Sequence, residues 1–424
     1  MIARLPRGRS DVRLDLRGLR VRPIEPGAPA GVSDVATIVA DALDRPRHGR
    51  PLADLARAHA DAVLVVPDAT RRVDLPLVLP IMLTRLRQAG IADAAITVLV
   101  ACGTHPPADA ERLDELLGPL PSAVRVVQHD ARAEDMLVER RRGEDSVRLN
   151  RIAAESSLLV TVSSVRHHYF AGFGGGPKMI FPGLGSYDQI QSNHARVMRR
   201  DAEGLIRDPR CEPGLLKGNP VAEEITRLAS IRPPDVALCT VPARDGHVAW
   251  ASSGEPMAVF DEAVGQVRAW YETPHEGPFE LMVVSAGGYP TDDSLIQAHK
   301  ALDAACRFLE PGGEMLFVAA LGGGGGSPDI EPFLRHPEPA EILARLDERW
   351  VQYGHTVLRL VEKTSRFRVS LHSDLDPRVA ARLGFSPVHN AADVVGRWRR
   401  EGPGRTVGLV TGEPVYPPPD AGRV

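Results

Sequence analysis

The stretch HHYFAGFGGGPKMIFPG, from His167 to Gly183, concentrates the residues of this sequence best suited to chemistry. Five glycines and two prolines surround a single lysine, Lys178. A loop so rich in glycine brings backbone N–H groups against a phosphate or carboxylate and lets a bulky ligand approach the main chain, which makes Gly174, Gly175 and Gly176 candidate cofactor contacts. It is not a Walker loop, because Pro177 separates Gly176 from Lys178 and Met179 replaces the hydroxyl residue, and its spacing does not fit GxGxxG. Taken alone, GFGGG reads equally as a flexible surface turn. Sixteen residues after Lys178 comes His194, in the helical-looking YDQIQSNHARVM. A lone helical histidine is usually structural. With His105, His168 and Lys178 in the same region it becomes a candidate metal ligand, since neutral imidazole suits nickel, zinc and copper.

Such residues need elements to present them. From about residue 60 the pattern repeats strand, polar loop, amphipathic segment: AVLVV at 62–66, LVLPIMLTRLRQAG at 77–90, AITVLVAC at 95–102 and ADAERLDELLG at 108–118. AVRVV at 123–127 and LLVTV at 158–162 extend the series, and ELMVVSA at 280–286 and EMLFVAAL at 314–321 begin a second one. The alternation predicts an α/β fold with largely parallel sheets and crossover helices, whose ligands bind beyond the carboxyl ends of the strands. Asp68, Thr70 and Arg71 follow the first strand, Gly103, Thr104 and His105 the second, His167 and His168 follow LLVTVSSVR, and Gly287, Gly288 and Tyr289 follow ELMVVSA. Four strands thus deliver chemistry-capable residues to one edge. Singly, His105 reads as a loop histidine with a satisfied hydrogen bond, Asp68 as a cap and Arg71 as a surface charge; together they point to a site.

The chain is long for one hydrophobic core at 424 residues, so two α/β domains are expected, 1–275 and 276–424, with the active site in the cleft between them. WASSGEPMAVFDEAVGQVRAWYETP reads as helical up to a turn near His275. The only low-complexity piece is the run Gly322 to Gly326. A net charge of −4 gives no pull toward nucleic acid or anionic lipid. Cys102, Cys211, Cys239 and Cys306 lie far apart without a CxxC pair, as reduced thiols of a cytoplasmic protein do. No window has the apolar length of a signal peptide or a membrane helix, so secretion and membrane insertion are not expected.

Read in order, DATR at Asp68 to Arg71, GTH at Gly103 to His105, HYFAGFGGGPK at His168 to Lys178, NH at Asn193–His194 and GGYPTDDSLIQAHK at Gly287 to Lys300 resemble the motifs of the lactate racemase family. Members of that family carry a nickel-pincer nucleotide, nickel held by a pyridinium-3-thioamide-5-thiocarboxylic acid mononucleotide. The resemblance implies a racemase or epimerase that inverts C2 of a 2-hydroxy acid by proton-coupled hydride transfer, with the cofactor attached to Lys178 through a thioamide and His194 as a nickel ligand. It makes His105 and His168 the acid/base pair, which suits side chains that alternate between base and acid near neutral pH. It assigns Arg71, Gln297 and Lys300 to the substrate carboxylate, adds Trp350 to the substrate site, and has Asp68 support the cofactor or its histidine. Cofactor-biosynthesis proteins are the implied partners.

Ile296 stands where lactate racemase has a tyrosine, and Asp292, Asp293 and His299 add polar groups on the same segment. These departures point to a substrate larger than lactate, such as an aldonic acid, unless both aspartates merely cap a helix. Two other readings remain open on the residues. One is a metal-dependent hydrolase with His105, His168 and His194 as ligands, which leaves Lys178 without a role. The other is a non-catalytic protein that binds a sugar acid or carries the cofactor.

Overall fold

Strands that are apolar at every position, such as AVLVVP at Ala62–Pro67, suit the middle of a parallel sheet covered by helices on both faces, and all six of these side chains are buried. The computed structural model describes residues 1–32, 34–71, 73–202, 204–274 and 278–418. They form two units, one made of residues 28–197 and 209–269, the other of 1–27, 198–208 and 270–424.

In the first unit six strands lie in the order Val248–Gly254, Val236–Pro242, Leu159–Ser164, Ala62–Pro67, Ile96–Ala101, Arg125–Gln128. All neighbours are parallel apart from the outermost pair, Val248–Gly254 against Val236–Pro242. Chain order reverses between Ala62–Pro67 and Leu159–Ser164: the connections leaving these adjacent strands run to opposite sides. A crevice opens at such a reversal, beyond the carboxyl ends of the two strands. Asp68 and Arg71 follow one of them, and His167 and His168 the other. Leu64, Val66, Val98, Val160, Val162 and Leu238 pack the sheet against helices Val35–Asp44 and Leu75–Gln88.

The second unit has its own six-stranded sheet, entirely parallel, in the order Ser386–Pro387, Arg368–His372, Leu309–Val318, Phe279–Ser285, Thr406–Val410, Arg20–Pro23. The hairpin Ile2–Arg7 and Ser10–Asp15 contributes Leu5 and Leu14 to its core, where Leu16 joins them beside Trp398. Residues 1–27 and 198–208 therefore belong with the C-terminal part of the chain, and a single cut does not divide the protein. The cut expected near residue 275, and the turn at His275, lie outside the described residues. ELMVVSA belongs to this second sheet, so three strands, not four, bring their residues to one sheet edge. WASSG is the antiparallel edge strand Val248–Gly254 rather than helix, and the helix begins only at Pro256. Its pairing with Val236–Pro242 overrides the helical look of the sequence around it.

Helix Leu295–Ala305, which carries Gln297 and Lys300, is fixed at both ends. The glycine run receives its start, since Leu295 N–H donates to Gly324 O and Ile296 N–H to Gly325 O. A Cβ at Gly326 would lie 2.6 Å from Ser294 Oγ, so the run has to be bare to reach the helix. Near its end Asp303 takes a bidentate bond from Arg359 at 2.7 and 3.0 Å, with Lys363 at 3.6 Å and Arg307 at 3.7 Å. Asp303 and Arg359 are both buried, and burial alone works against the Asp303 charge; the surrounding cations hold its carboxyl far below the usual carboxylate range. Removing one partner leaves the other charge buried without compensation. Arg359→Leu is expected to lower unfolding free energy by about 3–5 kcal/mol, with the double substitution Asp303→Leu, Arg359→Leu recovering most of that loss in urea titrations.

Candidate active site

The site in the first unit is built on short loops leaving three parallel strands. Asp68, just past Ala62–Pro67, accepts from the Thr70 N–H at 3.1 Å and the Thr70 hydroxyl at 2.5 Å through Oδ1. Its Oδ2 accepts from His105 Nδ1–H at 2.5 Å. Burial opposes ionisation of Asp68, but the His105 hydrogen bond and the positive charges of His105 and Arg71 outweigh it and hold the carboxyl well below the usual range. A carboxylate on Nδ1 leaves Nε2 as the basic atom of His105. The His105 loop is itself tied down, since Gly103 N–H donates to Gly183 O at 3.0 Å and Gly183 N–H to Lys178 O at 2.9 Å. A Cβ at Gly183 would lie 2.6 Å from Met179 O and 2.8 Å from Lys178 O, so only glycine fits at this junction.

His168 lies in the two-residue strand His167–His168, paired with Gly172–Phe173. The Ala171 N–H donates to His168 Nδ1 at 3.2 Å, which puts the proton of the neutral ring on Nε2. The two histidines thus differ: Nδ1 is a donor in His105 and an acceptor in His168. Phe170 links His168 to the rest of the site. Its ring meets His168 edge-on at 4.7 Å and His194 at 5.3 Å, and Lys178 Nζ lies 5.8 Å from its centroid.

Lys178 is half-buried, and desolvation, with the charge of Arg71, pushes its pKa down to about 7. A large share of its amine is therefore neutral and nucleophilic near neutrality. His194 is buried in helix Tyr187–Ala195, and desolvation and the Lys178 charge push it down to about 3. Its Nδ1–H donates to Ile190 O at 2.8 Å, so the neutral ring keeps its lone pair on Nε2, the state a metal requires.

Residues 8–205 match the family model of the lactate racemase N-terminal domain. A lactate racemase of Lactiplantibacillus plantarum is 29% identical over 310 residues, which cover 72% of this chain and 71% of that protein. One of Thermoanaerobacterium thermosaccharolyticum is 26% identical over 355 residues, 81% of this chain and 80% of its own length. The chain is thus similar to lactate racemases along most of its length. The solved structure of a lactate racemase apoprotein from T. thermosaccharolyticum superposes with a TM-score of 0.84 at 21% identity, covering 98% of this chain and 99% of that one, and shares its fold. A Thermotoga maritima protein shares the fold more distantly, with a TM-score of 0.65 at 14% identity over 92% of this chain and 99% of its own.

Of the residues that the lactate racemase resemblance singles out, the first unit holds Asp68, Arg71, His105, His168, Gly174, Gly175, Gly176, Lys178 and His194. Gln297, Lys300 and Trp350 stand in the second, where Lys300 Nζ donates to Gln297 Oε1 at 2.6 Å and the Trp350 ring stacks on His355 at 5.5 Å. Asp292 and His299 are buried. Asp292 Oδ2 takes the N–H groups of Gly8 at 2.7 Å and Ala320 at 3.0 Å, and His299 Nδ1–H donates to Ile296 O in its own helix. Ile296 is also buried, and these bonds engage Asp292 Oδ2 and His299 Nδ1 within the second unit. The histidine trio of a hydrolase does not form. Among the described residues only His336, Glu338 and Glu341 bring three metal-capable atoms within 4.8 Å of one another, on an exposed stretch, and His105, His168 and His194 do not. Sequence reasoning missed Phe170 and Gly183, because an aromatic in FAGF looks like core and a glycine after a proline looks like a turn.

Lys178 has a measurable signature. Unfolded, the lysine takes a proton below about 10.5, while folded it stays neutral down to about 7, so its burial costs more stability as pH falls through that window and a constant amount below it. Lys178→Met is expected to stabilise the unloaded protein, and by more at pH 7 than at about pH 9.5 in urea titrations. Equal gains at both would contradict the shifted lysine.

Proposed function

We propose that this protein inverts C2 of a 2-hydroxy acid as a racemase or epimerase, using a nickel-pincer nucleotide attached to Lys178. The observation that carries the reading is the gathering of His168, a lysine with lowered pKa and a buried neutral His194 around Phe170, with the loop of the Asp68-bonded His105 tied to the same lysine turn through Gly183. The names of the curated relatives agree with it. The residues fit the cofactor: Lys178 offers an amine that can be acylated, and His194 a lone pair on Nε2. At Gly174 an added Cβ would meet only Arg166 O, at 3.8 Å, so the main chain there leaves room for a bulky group.

When bound, the cofactor supplies an acceptor for the hydride leaving C2, which avoids a carbanion beside a carboxylate. His105 takes the hydroxyl proton on Nε2, and Asp68 stabilises the imidazolium that results. His168 serves as the opposite partner, giving a proton to the substrate oxygen from its imidazolium form, and the reverse direction exchanges the two roles. Arg71 has the planar fork that holds a carboxylate while the planar keto acid reorients. Gln297, Lys300 and Trp350 keep the substrate-binding role that the resemblance gives them. The protein acts in the cytoplasm on this reading and receives its cofactor from biosynthetic partners.

Intact mass of protein from a host that makes the cofactor, followed by peptide mapping, tests the attachment: an adduct on Lys178 is expected, and an unmodified lysine in an actively racemising sample defeats it. In polarimetric assays His105→Ala and His168→Ala are each expected to lower turnover by about 10²–10⁴ in both directions. Deuterium placed at C2 should stay in the product. Rapid wash-in of solvent deuterium would point to a carbanion route instead.

A further inference from the structure

Lys178 has to be held in register with the histidines. Its own side chain makes no ion pair among the described residues, so its position is set by the backbone that carries it. On the C-terminal side the turn is closed by Gly183 N–H donating to Lys178 O, and within it Lys178 N–H donates to Gly175 O at 3.2 Å. On the N-terminal side the loop meets Ser163 and its neighbour Cys239. Ser163, buried at the carboxyl end of strand Leu159–Ser164, accepts the Gly176 N–H on Oγ at 3.0 Å.

We propose that Ser163 is a positioning residue for Lys178, its hydroxyl fixing the loop through the Gly176 N–H so that the lysine stands where the acid/base histidines need it. The loop has no slack on either side of that bond. A Cβ at Gly176 would fall 2.2 Å from the Phe260 ring, and one at Gly175 would fall 2.8 Å from Ser164 O and 3.1 Å from Ser163 Oγ. Gly175 and Gly176 have positive φ, 76° and 54°, which a side-chain-bearing residue would adopt only under strain. The main chain is thus wedged between the strand end and Phe260, and Ser163 adds a directional contact at Gly176 to the one that Gly174 N–H makes with Arg166 O at 2.8 Å. The hydroxyl is itself held, with Cys239 Sγ at 3.5 Å from Oγ. Burial pushes the Cys239 thiol up to about 12, so it serves as an uncharged neighbour. Ser163 sits on the central sheet and is not a loop residue, so it carries the rigidity of the strand to within two residues of Lys178.

The proposal rests on the racemase reading for its kinetic consequence but not for its structural one. The test uses the full chain in three forms: Ser163→Ala, and the isosteric pair Ser163→Thr and Ser163→Val, which have nearly the same shape and differ in the hydroxyl. In unloaded protein, amide hydrogen exchange over residues 174–180 is expected to accelerate at least about tenfold in Ala and Val relative to Thr, with protection of the other strands of the sheet unchanged. In cofactor-loaded protein at equal occupancy by intact mass, kcat is expected to fall about tenfold or more in Ala and Val with KM unchanged, and Thr to restore it. If Ser163→Ala does not fold, the Thr and Val pair decides alone. Exchange that is the same in Thr and Val overturns the proposal whatever the chemistry. Faster exchange with an undiminished kcat overturns the positioning role. An absence of any adduct on Lys178 in the unsubstituted protein defeats the cofactor reading and leaves the exchange comparison to decide for Ser163.

Discussion

Gly183 is where the site is joined together. Its amide donates to the Lys178 carbonyl and its carbonyl accepts from the Gly103 amide, so the turn bearing the lysine and the loop bearing His105 meet at one residue. The contact exists because the α-carbon is bare. Two carbonyl oxygens and the Ala101 side chain already occupy the space of a Cβ, the last at 3.0 Å. Two loops from distant parts of the sequence gain a fixed separation from a residue that has no side chain.

Within that frame the chemistry is set by what each imidazole is bonded to. A carboxylate takes the Nδ1 proton of His105, whereas a backbone amide on Nδ1 of His168 puts the proton of its neutral ring on Nε2. At His194 a helix carbonyl takes the Nδ1 proton and burial keeps the ring neutral. Residues of one type thus take different tautomers from partners that are each one hydrogen bond away. The same packing that neutralises His194 disfavours a charge on Lys178, so metal-ready and acylation-ready groups arise from one cause.

Much of this is legible in the sequence, for identifiable reasons. The strands at 62–67, 96–101 and 159–164 announce themselves by apolar runs, and a parallel sheet brings the residues just past its strands to one edge, so Asp68, Arg71, His105 and His168 can be grouped without coordinates. The partner of His105 cannot be specified that way, because a 37-residue separation says nothing of which atoms meet. WASSG misleads because a short edge strand directly before a helix has no pattern of its own. That Asp292 Oδ2 holds the backbone amides of Gly8 and Ala320, and His299 Nδ1 the carbonyl of Ile296, cannot be read from the sequence, because Gly8 and Ala320 are remote along the chain. The first sixty residues carry no motif at all. The place of residues 1–27 depends on strand Arg20–Pro23 finding Thr406–Val410, a pairing that no local pattern encodes.

That pairing bears on how the chain is made. Residues 28–197 and 209–269 contain every strand of their own sheet, so a nascent chain can complete it while the ribosome is still translating the C-terminal part. Arg20–Pro23 emerges well before its hydrogen-bonding neighbour Thr406–Val410, with the whole first unit synthesised between them. Residues 1–27 must wait through synthesis of that unit with the edge of Arg20–Pro23 unpaired. Its charges at Arg4, Arg7, Arg9, Arg13, Arg17, Arg20 and Arg22 are of the kind that keep a waiting strand from pairing with another copy. Arginines whose surface ion pairs add little to the finished fold have a use during biosynthesis.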